Sequence, residues 1–179
     1  MKMKYFIVAL ILAGSTLFAG EFTLYSNDLS GQLTKAQEAS SFGCDGSNIS
    51  PELHWSNAPS GTKSFAVTVY DPDAPTGSGW WHWVVFNIPA SVNALPADFG
   101  NVNKTATISA IQSMTDYGKA GFGGACPPKG DKAHRYVFTV HALSVDKLNL
   151  DEKSSPALVG FMIGANTLAK ATLISYYQR

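Results

Sequence analysis

Three segments of this 179-residue chain are apolar on both faces, a pattern that a sheet covered on both sides accommodates. Residues 64–70 (SFAVTVY) carry Phe65, Val67 and Val69 on one face and Ala66 and Thr68 on the other. Residues 83–88 (WVVFNI) read the same way. So do residues 135–143 (RYVFTVHAL), where Tyr136, Phe138, Val140 and Ala142 alternate against Val137, Thr139 and His141. β-Branched and aromatic residues in runs this short specify strands, and a strand with no wet face belongs in the middle of a sheet.

The connections between these segments are explicit. Residues 71–75 (DPDAP) fix φ twice, and Gly77 and Gly79 then turn the chain before Trp80. Residues 118–130 hold five glycines and the pair Pro127 and Pro128. A long loop with so few apolar side chains is of the kind that carries function. Weaker strands are expected at 22–25, 52–55, 105–110 and 172–177. Helix is scarce: residues 156–170 start at Pro156, can be capped by Ser154 or Ser155, and place Leu158, Phe161, Met162, Ala165, Leu168 and Ala169 at helical spacing. The expected fold is mainly β, a sandwich of antiparallel sheets with long connections and one peripheral helix near the C-terminus.

Residues 1–19 read as a secretory signal peptide. Lys2 and Lys4 give the basic start, an apolar run follows from Tyr5, and Ala19 offers the small residue at the cut. Residues 20–179 then form a single domain, destined for the periplasm or for secretion. No second apolar stretch reaches spanning length, so the domain is not expected to cross a membrane. Without Lys2 and Lys4 the thirteen basic residues fall to eleven, against thirteen acidic ones. That balance offers no basic stripe for nucleic acid; Lys129, Lys132 and Arg135, interrupted by Asp131, read as a solvated loop. In an oxidising compartment Cys44 and Cys126 are expected to pair with each other, tying the turn at 43–46 to the glycine-rich loop. Their spacing is not that of a redox or zinc motif.

Candidate functional residues gather at strand ends. Asp71 closes the first central segment, His82 opens the second after the proline-bounded loop, and His134 opens the third. A carboxylate that accepts one imidazole N–H fixes the tautomer and turns the other nitrogen towards a ligand, and two such imidazoles suit one anion. Asp73 either joins them or caps its own turn. Of the neighbouring tryptophans, Trp81 is expected nearest the mouth and Trp83 in the core, while His54 and His141 read as structural. A hydrolase reading lacks a nucleophile elbow around Ser78 or Ser113, a metal reading lacks paired ligand spacing, and no phosphate loop, dinucleotide motif or other cofactor signature is present.

Six ordered blocks carry a resemblance: residues 48–55 (NISPELHW), 62–66 (TKSFA), 71–75 (DPDAP), 82–89 (HWVVFNIP), 126–130 (CPPKG) and 134–136 (HRY). Together they resemble the phosphatidylethanolamine-binding protein family. They are similar in particular to its bacterial Raf-kinase-inhibitor-like branch, whose periplasmic YbcL-like members fit the signal peptide and two cysteines. The resemblance implies a Greek-key β-sandwich with a small cavity for phosphate, acetate or the phosphoryl head of a lipid. It implies that Asp71, Asp73, His82, His134 and Tyr136 line that cavity, with Ala125, Cys126 and Pro127 closing it. It further implies a binding protein and not an enzyme, the alternatives being a phosphoester or lipid hydrolase, or an interaction protein with a vestigial cavity. A homodimer is open, as in some bacterial relatives, and the protein partner is unknown. The kinase and protease inhibition found elsewhere in the family depends on outer surfaces, and pocket residues do not carry it over. The extended C-terminal helix that partly covers the site in eukaryotic relatives is not expected here, which leaves an uncovered mouth suited to small anions.

Overall fold

The computed structural model describes residues 20–179, so the signal peptide expected at 1–19 lies outside the described residues. Along the chain come β1 (Thr23–Tyr25), β2 (Leu53–Ser56), β3 (Ser64–Asp71), β4 (Trp80–Pro89) and β5 (Ala94–Leu95). After them follow β6 (Ile111–Gln112), β7 (His134–Leu143), α1 (Pro156–Asn166) and β8 (Thr167–Tyr177). The three segments apolar on both faces are β3, β4 and β7. They lie side by side in the middle of a five-stranded antiparallel sheet of order β6-β4-β3-β7-β8. A small antiparallel sheet, β1-β2-β5, forms the second layer.

Strand alternation distributes the side chains between two cores. Phe65, Val67, Val69, Trp83, Val85, Phe138 and Val140 meet Leu24, Leu53, Trp55 and Leu95 of the small sheet. On the other face Ala66, Val84, Phe86 and Leu143 pack against Leu148 and against Val159 and Ile163 of α1. Each large apolar side chain fully buried this way contributes about 1.5–3 kcal/mol, which is why these strands tolerate no polar face. Within the large sheet β3, β4 and β6 are successive neighbours, and β7 returns to lie beside β3. That is the Greek-key order, with the link from β4 to β6 detouring through β5.

The helix starts as expected: Ser155 caps it by accepting from the Leu158 N–H, and Pro156 takes the first turn. It ends four residues earlier than its spacing suggests and buries a different stripe. Val159 and Ile163 face the sheet, while Leu158 and Phe161 are exposed, Phe161 at 72%. From Thr167 the chain pairs with β7 along the whole of β8, so sheet hydrogen bonds outcompete one more helical turn. Leu168 and Ala169 therefore belong to a strand. The strand expected at 105–110 is absent; only Ile111 and Gln112 pair there, against Phe86 and Val85. No helix among the described residues is long and apolar enough to cross a membrane. Cys44 and Cys126 are joined, with Cα atoms 6.0 Å apart.

The two histidines away from the strand ends are structural. His54 contacts Glu52 through Nε2 at 3.1 Å and stacks on Tyr25. His141 is pushed down to about 4, first by burial and then by Lys170. Between pH 6.5 and 4 the unfolded chain takes up a proton at His141 that the folded chain refuses, so stability present at neutral pH is lost on acidification. Melting temperature is expected to fall by several degrees from pH 7 to pH 4.5, and His141→Asn to lessen that fall.

Candidate functional site

The site forms where β3, β4 and β7 end together. Asp71 is the last residue of β3, and the cross-strand pairing places it beside Trp80 of β4. Register passes from Val69 opposite Trp83 to Tyr70 opposite Trp81, so His82 is the unpaired residue of a bulge. A bulge re-aims one side chain out of the pleat, and here it turns the imidazole inward under the loop at 121–124. His134 opens β7, and Tyr136, two residues on, shares its face.

Each polar group is held. His134 Nδ1 donates to Asp71 Oδ2 at 2.8 Å, with both side chains almost fully buried. The second oxygen of Asp71 accepts the Asp73 N–H at 2.8 Å, so one carboxylate orients the histidine and closes the turn. The other nitrogen of His134 lies 3.5 Å from Asp131. His82 Nδ1 donates to the Gly123 carbonyl at 2.7 Å, and the Gly123 N–H donates back to the His82 carbonyl at 2.8 Å. This clamp requires a glycine, because a Cβ at residue 123 would lie 2.2 Å from the Tyr117 ring. Gly123→Ala is expected to cost about 1–3 kcal/mol through overpacking and to free the His82 ring; a urea melt and the His82 ring resonances check both.

Together these groups bound a cavity of about 180 Å³. Its polar floor is Asp71, His82, His134 and Tyr136. Its mouth is aromatic and proline-rich, with Phe42, Trp80 and Tyr117 facing Pro75, Pro127 and Pro128, and the disulfide sulfur of Cys126 at the rim. Burial lowers the His82 pKa from the ordinary imidazole value, against smaller opposing effects from the Gly123 and Gly124 carbonyls and from Asp71 and Asp116. The phenols of Tyr117 and Tyr136 are pushed far above the usual range by burial, and the Asp71 charge adds to this, so both keep their protons. Tyr117 spends its proton on the Gly124 carbonyl at 2.7 Å. The Tyr136 hydroxyl, fully buried, finds no acceptor for its proton among the described residues, and its oxygen faces the Cys126 backbone N–H. A buried donor left unpaired costs about 1–3 kcal/mol; of the buried unpaired polar groups among the described residues, Trp55 Nε1, Ser113 Oγ, Ser175 Oγ and the Tyr136 hydroxyl, Tyr136 is the one that lines this cavity.

Three expected positions lie outside the cavity lining. Trp81 points to the opposite face from Trp80 and His82, where its ring lies tilted against Tyr70 with centroids 4.6 Å apart and packs against the helix layer. Trp80 takes the wall in its place. Asp73 turns away to Arg135, accepting from its backbone N–H, its Nε and its Nη2 at 2.8–3.0 Å, and this holds its carboxyl well below the usual range. Asp73 thus ties the proline-bounded loop to β7. Ala125 is buried with its backbone paired to Gln37 and Ala39. Phe42, Tyr117 and Asp131 went unforeseen. Phe42 was within reach of the predicted disulfide, two residues before Cys44, whereas Tyr117 carries no periodic signal. Among the described residues no group of three or more histidine, cysteine or acidic side chains is placed to hold a metal.

Comparison with known proteins agrees with the fold. The family model for phosphatidylethanolamine-binding proteins matches residues 27–178. The chain is 54% identical to YbcL of Escherichia coli K12 over 98% of this chain and 99% of that one. It is 49% identical to YbhB of the same organism, over 86% and 98% of the two chains. The crystal structure of E. coli YbcL, described as a new member of the mammalian PEBP family, superposes with a TM-score of 0.87 at 55% identity, covering 89% of this chain and 99% of that one. A homologue of these proteins from Chlamydia trachomatis superposes with a TM-score of 0.73 at 28% identity, over 88% and 97%. On the match across nearly all the described residues, the shared sandwich and the relatives above, this chain belongs to the phosphatidylethanolamine-binding protein family.

Proposed function

We propose that the cavity at the ends of β3, β4 and β7 binds a small oxyanion or a phosphoryl head group, and that the protein works by binding and not by turnover. Members of this family are typically non-catalytic, which supports the second half of the reading. The observation that carries the first half is the Tyr136 hydroxyl, a buried donor without an acceptor on the floor of a cavity it shares with His82 and the Asp71–His134 pair. A phosphoryl oxygen supplies the missing acceptor. The volume of about 180 Å³ suits a head group, and the aromatic mouth suits an apolar substituent leaving it. The signal peptide expected at 1–19 from the sequence and the disulfide within the fold support a site of action outside the cytosol.

Calorimetric titration with inorganic phosphate tests the reading. One neutral hydrogen bond gained with the occupant is worth about 1 kcal/mol, or a little more to a charged oxygen. Tyr136→Phe is therefore expected to weaken phosphate about tenfold, while leaving the melting temperature unchanged or slightly raised. Phosphate affinity that is the same in the wild type and Tyr136→Phe contradicts the proposal.

A further inference from the structure

The tautomer of His82 bears on which oxyanions can enter. A carbonyl has no proton to give, so the 2.7 Å contact with Gly123 puts the ring hydrogen on Nδ1. In the neutral ring Nε2 then carries a lone pair, and it has no hydrogen-bond partner among the described residues. The ring is not free to flip. The Gly123 N–H fixes the His82 backbone from the other side, and the Tyr117 and Tyr136 rings stand edge-on to the imidazole at 5.5 and 5.0 Å. The titratable groups around it are Asp71 on β3, His134 and Tyr136 on β7, and Asp116 and Tyr117 on the loop after β6. Among the described residues no lysine or arginine lines the cavity. Burial lowers the pKa of this ring, so the neutral form is the one an occupant meets near neutrality.

A fully ionised oxyanion offers only acceptors, and one of its oxygens would face Nε2 lone pair to lone pair. An oxyanion that retains an O–H turns that hydrogen to Nε2 and leaves its other oxygens for the Tyr136 hydroxyl. We infer that the cavity selects oxyanions that bring their own proton, namely phosphate and phosphomonoesters in O–H-bearing form, over sulfate and phosphodiesters, with Nε2 of His82 as the discriminating acceptor. This rests on the anion-site reading above and deepens it.

The test is calorimetric titration of the intact protein at pH 7.5 with inorganic phosphate, sulfate and dimethyl phosphate. Phosphate keeps at least one O–H at that pH and the other two have none. Phosphate is expected to bind at least about 30-fold more tightly than either, within the range that one mispaired buried polar group imposes. His82→Gln, whose amide can both donate and accept, is expected to keep phosphate binding and narrow the ratio. Equal affinities for phosphate and sulfate overturn the selectivity and leave the anion site standing. Binding of none of the three overturns both. An undiminished ratio in His82→Gln overturns the role given to Nε2.

Discussion

Replacing Asp71 with alanine is expected to abolish measurable phosphate binding and to destabilise the fold by about 3–5 kcal/mol, the cost of breaking a buried pair and leaving one partner behind. Asp71 holds two parts of the site at once: His134 through Oδ2 and the Asp73 N–H through Oδ1. Without it, the buried His134 loses the acceptor for its Nδ1 proton, and the turn that carries Ala74, Pro75 and Thr76 to the cavity wall loses its cap. Asp71→Asn separates the two effects. Its amide oxygen still accepts from His134 or from the turn, so it is expected to lose about half as much stability while still weakening phosphate at least tenfold. Urea unfolding and phosphate calorimetry on both variants check this; an Asp71→Ala protein that binds phosphate as the wild type does contradicts the placement of Asp71 beneath the ligand.

Removing the disulfide is the second large effect. Cys44 and Cys126 close a loop with a sequence separation of 82, and on the chain-entropy account its loss destabilises by about 4–5 kcal/mol. With an m-value of about 2 kcal/mol per molar, the urea midpoint of Cys44→Ser/Cys126→Ser falls by roughly 2 M. The fold should survive, because Arg179 joins the same two loops without a covalent bond, its guanidinium donating to the Pro127 and Gly43 carbonyls at 2.7 and 2.8 Å. The floor of the cavity sits on strands and the disulfide on its rim, so phosphate affinity is expected to change far less than stability, by less than about tenfold. A midpoint within 0.5 M of the wild type would show that the bridge constrains little.

The centre of the fold was legible because its signal is local. Strands apolar on both faces announce a sheet with layers above and below, and β3, β4 and β7 occupy that place. The helix was half legible: Ser155 and Pro156 mark its start, but its end is set by pairing of β8 with β7, which no periodicity in residues 166–170 reveals. At the site, Asp71, His82, His134 and Tyr136 were found from strand ends and family likeness together. The choice of Trp81 over Trp80 failed against a rule the sequence already contained, since residues 80 and 82 share a strand face and 81 takes the other. Asp73 was ambiguous between turn and ligand, and what decided it was Arg135, a partner 62 residues away whose approach depends on the completed sheet. Tyr117 comes from a loop without pattern, and it reaches the cavity only because Gly123 leaves room for its ring.

The chain has four histidines, two on the cavity floor and two elsewhere, which makes them internal probes and controls. Two-dimensional nitrogen–proton correlation of the imidazole rings during a phosphate titration tests the central claim most directly. Saturable shifts with one dissociation constant are expected at the Nε2 resonances of His82 and His134, with His54 and His141 unmoved. Shifts of similar size in all four rings, or none in His82 and His134, would contradict the assignment of this cavity as the binding site.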